Sequence, residues 1–419
     1  MEFKRYRIEE IGTVVGGGTP STKNSNYYGG NIPWITPKDL ANYEKRYIQY
    51  GERNITDEGL KHSSAKLVPA NTILMTSRAP IGYLAIAANE VSTNQGFKSI
   101  ICDEKVVSPK FLYYLLQYEM ENIKSLGTGS TFSEISGRVV KNIEVNLPNI
   151  ENQKKIEGVL DAVDEKIETN QHIIANLEEL SQTLFKHWFV DFEFPDENGA
   201  PYKANGGEMI DSELGKIPKG WIVKSLDEIA NYINGLAMQK YPSNKVESLP
   251  IVKIKELKNG FTDENSNRCT TEIPEKAKID NGDIIFSWSA TLLVKMWAGG
   301  KAGLNQHLFK VTSETFPKWF YYLWTKRYIE YFINIANDKA TTMGHINRKH
   351  LSHAKIVLPT QLQLENFDKI FHNLLEKQLN TEEEIKRLIE LRDTLLPKLM
   401  SGEIEIPDDI EVNSDELSI

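Results

Sequence analysis

The chain has 419 residues, with 49 Lys and Arg against 58 Asp and Glu for a formal net charge of −9, and 40% of its residues are apolar. This is ordinary globular composition, which excludes a mainly disordered chain and predicts about two to four domains, each able to bury its own core. Cys102 and Cys269 are too few for a disulfide framework or a Cys-rich zinc site, MEFKRYRIEEIG lacks the apolar centre of a secretory leader, and no apolar run approaches the roughly 18 residues of a membrane span, so a cytoplasmic protein is expected.

Read in order, the chain repeats itself. Residues 1–149 form a first unit that begins with Ile8-Glu9-Glu10-Ile11 and contains Ile32-Pro33-Trp34, short predicted strands at 73–75 and 83–87, the turn-like Asn94-Gln95-Gly96 and an aromatic amphipathic helix over 109–120. Residues 150–188 are predicted to be one long helix, in which Ile156, Leu160, Val163, Ile167, Asn170, Ile174, Leu177, Ser181, Leu184 and Trp188 recur at 4-3 spacing. The linker at 189–220, rich in Gly, Pro and acidic residues, reads as irregular.

The second unit, 221–360, restates the first. Leu226-Asp227-Glu228-Ile229, Leu249-Pro250-Ile251 and Asn305-Gln306-His307 lie 218, 217 and 211 positions after their counterparts, with predicted strands at 283–288 and 292–297 and an aromatic helix over 317–332. A distal helix at 361–400 repeats the seam as Phe367, Phe371, Leu374, Gln378, Thr381, Ile385, Leu388, Arg392, Leu395 and Leu399, and an acidic tail fills 401–419. Each stripe could pack on its own unit alone, but about 37 helical residues make a rod of ~55 Å, longer than such a unit is wide, so the two helices are expected to pair as a coiled coil. The polar seam positions would cost stability and fix register. The expected fold is therefore α+β, with two similar mixed α/β units related by a pseudo-twofold and two long helices between them.

The charge is unevenly spread. Residues 1–148 sum to +2, 149–219 to −8, 220–359 to +6 and 360–419 to −9, leaving two mildly basic units joined by acidic struts. Nucleic acid is compatible with that alternation but not demanded by it.

The usual catalytic patterns are missing. Gly16-Gly17-Gly18-Thr19-Pro20 lacks the second half of a phosphate-binding loop, Gly127-x-Gly129 lacks the third glycine of a dinucleotide site, and no Pro-Pro dipeptide is present to build the base-presenting motif of many DNA methyltransferases. Acid-x-Lys pairs occur at the frequency a quarter-charged chain gives by chance. His345, His350 and His353 have no Cys or carboxylate at ligand spacing, so they read as a basic stretch and no metal is expected. The inventory is that of a binder.

Several segments carry a family resemblance: GGGTPST at 16–22, IPWITPKDL at 32–40, LPNIENQKKI at 147–156, LFKHWFVDFEFP at 184–195, GGEMIDSELGKIPKGW at 206–221 and LLPKLMSGEI at 395–404. With the duplicated layout they resemble the specificity subunit of type I restriction-modification systems across essentially the whole chain. The resemblance implies two target recognition domains, each reading one half of a bipartite double-stranded DNA site, held apart by an antiparallel helix pair that docks two methyltransferase subunits and, through them, a motor-nuclease restriction subunit. It implies no cofactor in this chain, with S-adenosylmethionine, ATP and Mg in the partners. Alternatives are the specificity chain of a system whose methyltransferase and nuclease are fused in one partner, and a coiled-coil adaptor whose heads bind proteins.

Base readout uses polar side chains on loops near the grooves, with cations on phosphates for register. The candidates are Lys38, Arg78, Asn94, Gln95, Lys98, Ser130, Thr131, Arg138 and Lys141 in the first unit, and Lys253, Lys255, Asn305, Gln306, Thr341, Thr342, Arg348 and Lys349 in the second. About a third of them are expected to touch DNA. Asn94 and Asn305, shared by both copies, could equally cap strands, whereas Gly137/Arg348 and Arg138/Lys349 differ between copies and are better placed to discriminate bases.

Overall fold

The structure is a computed structural model that describes residues 1–41, 43, 45–128, 133–243, 247–338 and 345–407. It divides into two compact units, Met1–Glu168 with Leu388–Ile419, and Thr169–Arg387, and the division falls inside both long helices. No helix among the described residues is long and apolar enough to cross a membrane.

The first unit starts with β1 (Lys4–Arg7), α1 (Ile8–Ile11), β2 (Gly12–Gly16), β3 (Tyr28–Ile35), β4 (Tyr47–Ile48), β5 (Arg53–Ile55) and α2 (Asp57–Lys61). It continues through β6 (Leu67–Val68), β7 (Ile73–Ser77), β8 (Ile81–Ala87), β9 (Val91–Thr93) and β10 (Lys98–Cys102). Three short helices, α3 (Pro109–Tyr118), α4 (Met120–Ser125) and α5 (Gly137–Lys141), then lead through β11 (Glu144–Leu147) into α6 (Ile150–Phe189). Strands pair in the orders β2-β10-β7-β8-β4 and β5-β3-β9-β6, and β1 pairs with β11. The all-buried β7 is a central strand, as its unbroken Ile-Leu-Met run requires. In α1 the Glu10 carboxylate accepts from the Arg7 backbone at 2.6 Å, which stops the strand and turns Ile8 and Ile11 into the core.

The second unit begins with β12 (Met209–Ser212), β13 (Gly215–Pro218), β14 (Ile222–Ser225), α7 (Leu226–Ile229), β15 (Asn231–Asn234), β16 (Ser248–Val252) and α8 (Ile254–Asn259). It continues as β17 (Arg268–Thr270), β18 (Lys278–Ile279), β19 (Ile284–Ser287), β20 (Leu293–Met296), β21 (Ala302–Leu304) and β22 (Leu308–Thr312). Then come α9 (Lys318–Arg327), α10 (Ile329–Asp338), α11 (Arg348–His353), β23 (Lys355–Leu358) and α12 (Gln361–Met400). Its sheets run β15-β22-β19-β20 and β17-β16-β21-β18, and β14 pairs with β23. Each order is that of the first unit element for element, β4 being the first unit's addition. The repeat seen in the sequence is thus a repeat of topology. The segment read as an irregular linker is only partly so: β12 and β13 form a hairpin closed by Gly215 at φ +89°, and Phe194 stacks on Trp221 at 5.0 Å.

All twenty seam positions of the two long helices are buried or half-buried. In the second unit Asn170 donates to Glu384 at 3.0 Å, Gln378 donates to Glu178 at 3.2 Å, and Trp188 lies 4.8 Å from Phe367, so contacts ascend one helix as they descend the other. Among the polar seam residues, Thr381 bonds back to the Lys377 carbonyl at 2.7 Å, and Ser181 has no partner among the described residues.

Each helix also closes the core of its unit, by different chemistry. In the first unit Ile156 and Leu160 are fully buried, and around them Arg46 binds Glu168 through two 3.0 Å contacts and also pairs with Asp161, which in turn meets Lys110. Tyr114 donates to Asp164 at 2.8 Å, and Arg392 reaches the other oxygen of that carboxylate at 3.0 Å. In the second unit the equivalent turns present Phe367, Phe371, Leu375 and Leu379, with Trp319 stacked on Phe371 at 4.5 Å and its indole N–H bonded to Asp368 at 2.8 Å.

Replacing Arg46 with leucine leaves two largely buried carboxylates short of a cation and should destabilise the first unit by about 3–5 kcal/mol in denaturant unfolding. Burial alone would raise the Glu168 pKa, but the Arg46 hydrogen bond and charge hold it below its ordinary value. Because the folded pKa is the lower one, this contribution is present above the ordinary carboxylate range and is lost as Glu168 protonates, so the gap between wild type and Arg46→Leu should narrow below about pH 4.

Candidate nucleic-acid interface

Arg78, the Asn94-Gln95 turn and Lys98 of the first unit come together where β7 ends. Ser77 donates its N–H to the Gly96 carbonyl at 2.7 Å and accepts from the Ile135 N–H at 2.9 Å, so the 94–98 turn and the 133–135 segment flank it on either side. The next residue, Arg78, forms a single antiparallel bridge with Glu134, and its guanidinium Nη1 lies 3.3 Å from the carboxylate. Lys98 is 3.9 Å from the other oxygen of Glu134. Burial lowers the Lys98 pKa, Glu134 working against that shift and Arg78 with it. Gln95 is exposed and its amide oxygen accepts from the Thr19 hydroxyl. Lys38 follows Pro37, whose ring lies against Gly96, and is paired with Glu52 at 2.7 Å. Arg138 and Lys141, on α5, are exposed and carry no ion pair among the described residues.

The same frame recurs in the second unit, 211 positions on. Trp288 donates its N–H to the His307 carbonyl at 3.4 Å and accepts from the Ile346 N–H at 3.1 Å, and Ser289 forms a single antiparallel bridge with His345. His307 and His345 are exposed, with ring centres 5.9 and 6.4 Å from Trp288, and the Ser289 hydroxyl is 3.4 Å from His307 Nδ1. Gln306 is exposed beside His307. Lys253 bonds Asn267, and Lys255 lies 3.9 Å from Asp263. Of the residues expected to discriminate, Arg348 donates to the Tyr232 carbonyl at 2.9 Å and stacks over Phe309, while Lys349 is exposed without an ion pair among the described residues. Ser130, Thr131, Thr341 and Thr342 lie outside the described residues.

The strand-capping role of the shared asparagines is visible. The Asn94 side-chain oxygen accepts from the Gly96 N–H at 2.8 Å, and Asn305, 7% exposed, accepts from the His307 N–H at 3.4 Å. Both turns press on a glycine. A Cβ at Gly17 would sit 1.9 Å from the Asn94 carbonyl oxygen, and one at Gly235 would sit 2.3 Å from that of Asn305, so part of the glycine-rich stretch serves close backbone approach. After the bridge, Ala79 at φ +55° and Ala290 at φ +57° occupy the left-handed region, a strain on the order of 1–3 kcal/mol held identically in both units. Glu134, Ser289, His307 and His345 were not among the sequence candidates. Aligning the copies at the offset of 211 and asking where they differ beside a shared turn would have found them.

The family described as type I restriction modification DNA specificity domain matches this chain twice, over residues 1–179 and 218–391. The chain belongs to that family. The MjaIX specificity subunit of Methanocaldococcus jannaschii is 38% identical over 410 residues, covering 96% of this chain and 93% of its own length. The HindI specificity subunit of Haemophilus influenzae is 25% identical over 441 residues, covering 89% and 94%. A type I S subunit crystal structure from M. genitalium aligns with a TM-score of 0.58 at 17% identity over 98% of this chain and 97% of that one, and so shares the fold. This chain is the specificity subunit of a type I restriction-modification system. Such subunits are non-catalytic, the catalytic activities lying in partner subunits.

Asn305→Ala should destabilise the second unit by about 1 kcal/mol through the lost turn bond, with Asn94→Ala doing the same in the first. Thermal unfolding monitored by the tryptophans, six of which belong to the second unit and only Trp34 to the first, reads the two separately.

Proposed function

We propose that each unit reads one half of a bipartite double-stranded DNA sequence through the end of its sheet where β7, or β19, meets the asparagine turn. The supporting observation is that one backbone frame occurs twice while the side chains it displays differ, as two unlike half-sites require. Exposed Arg138, Lys141 and Lys349 contact phosphates and set register, and the polar side chains beside the bridge meet base edges. The long helices form an antiparallel coiled coil that relates the heads by a pseudo-twofold and docks two methyltransferase subunits, through which a restriction subunit joins. S-adenosylmethionine, ATP and Mg act in those partners, and the assembly works in the cytoplasm. With a net charge of −9, the chain alone binds DNA weakly, and tight binding needs the methyltransferase.

Exchange of residues 1–149 for the equivalent segment of a relative with another specificity tests this reading. Mapping methylated sites in cells should show one half-site replaced, with the other half-site and the gap unchanged. Simultaneous change of both half-sites would refute independent reading, and methylation without sequence preference would refute DNA reading by this chain.

A further inference from the structure

We infer that Arg78 is a base-reading residue of the first head and that it reads a guanine. The inference rests on the DNA-reading proposal above. The Arg78–Glu134 pair could be read as a clip that fastens the 133–135 segment to the end of β7. The second head removes that explanation. There the same antiparallel bridge joins Ser289 to His345, the same flanking hydrogen bonds run to residues 288, 307 and 346, and the next residue has the same positive φ, all without an ion pair between the bridged residues. The backbone therefore does not need the charges at 78 and 134.

What the charges provide is an oriented guanidinium. Arg78 keeps 35% of its side chain exposed while Glu134 holds Nη1, and the remaining donors of the planar fork have no partner among the described residues, beside a residue at positive φ. A fork of that kind matches the O6 and N7 acceptors that guanine alone presents side by side in the major groove. Glu134 acts through Arg78 and is a positioning residue. In the second head the site holds a serine hydroxyl and two imidazoles around Trp288, whose indole N–H is buried with no acceptor among the described residues. That set has no bidentate fork, so the second half-site carries no such guanine requirement at this position.

The test uses the chain in complex with its methyltransferase partner, on duplexes carrying the mapped site and every single base-pair substitution of it. Arg78→Ala should weaken the cognate duplex by about 10- to 100-fold and abolish discrimination at one G·C pair of the first half-site, leaving the second half-site untouched. Placing 7-deazaguanine at that pair, which deletes N7, should weaken the wild type to a similar degree and leave Arg78→Ala unaffected. Glu134→Gln, which keeps the shape and weakens the hold on the guanidinium, should reduce discrimination at the same pair and nowhere else. Uniform weakening on all duplexes by Arg78→Ala, or a first half-site in which no guanine is sensitive to 7-deaza substitution, overturns the assignment. The wild-type scan alone decides if Arg78→Ala fails to assemble. A wild-type complex indifferent to sequence in both half-sites would instead sink the DNA-reading proposal itself.

Discussion

Ile156 and Leu160 in one unit, and Phe367 and Phe371 in the other, are buried among residues of the head that precedes them in the chain, so neither head has a closed core without the first turns of its long helix. β7, whose end carries the first candidate interface, contributes Ile73 and Met75 to the same core as Ile156 and Leu160, so what that end displays depends on this closure. A helix that belongs to the core of its head cannot rotate about its own axis without opening the core, and the orientation of the head is thereby tied to the orientation of the helix. Dense packing makes such a junction rigid.

The two units reach this rigidity by opposite routes. The second buries rings of Phe, Trp and Tyr, each removing on the order of 150–250 Å² from water and sensitive to close packing. The first surrounds a smaller apolar contact with Arg46, Lys110, Asp161, Asp164, Glu168 and Arg392. Buried ion pairs of this kind add little net stability, because desolvation offsets most of the attraction, yet the two-point contact of Arg46 with Glu168 allows only one helix rotation. The apolar junction supplies stability and the ionic one supplies direction.

Charge pairing also separates affinity from selectivity at the candidate interface. Lys38, Arg78 and Lys98 each face a carboxylate in the folded head, which mutes their pull on phosphate and leaves Arg138 and Lys141 as the cations of the first unit's candidate set without an ion pair among the described residues. A paired and oriented cation is poorly suited to general attraction and well suited to a directional contact. The second unit takes the same frame and fills it with imidazole rings and a hydroxyl, so the side chains displayed can differ between the units without any change of fold.

The sequence by itself determined the duplication, the two mixed α/β units, the two long helices and the family, because hydrophobic period, matching words and a constant offset are written locally along the chain. It also marked the asparagine turns, since Asn94 and Asn305 recur, but it could not tell whether they hold the frame or read DNA. Only the tertiary structure shows the first of these, each side-chain oxygen accepting from the backbone N–H two residues ahead. Tertiary structure likewise brought Arg78 against Glu134 and Ser289 against His345 across 56 residues of chain, and enclosed Arg46 between carboxylates of α6 that lie more than a hundred residues away. Such pairings leave no periodic trace, because they depend on which loop a sheet edge meets, and that is fixed only when the core closes.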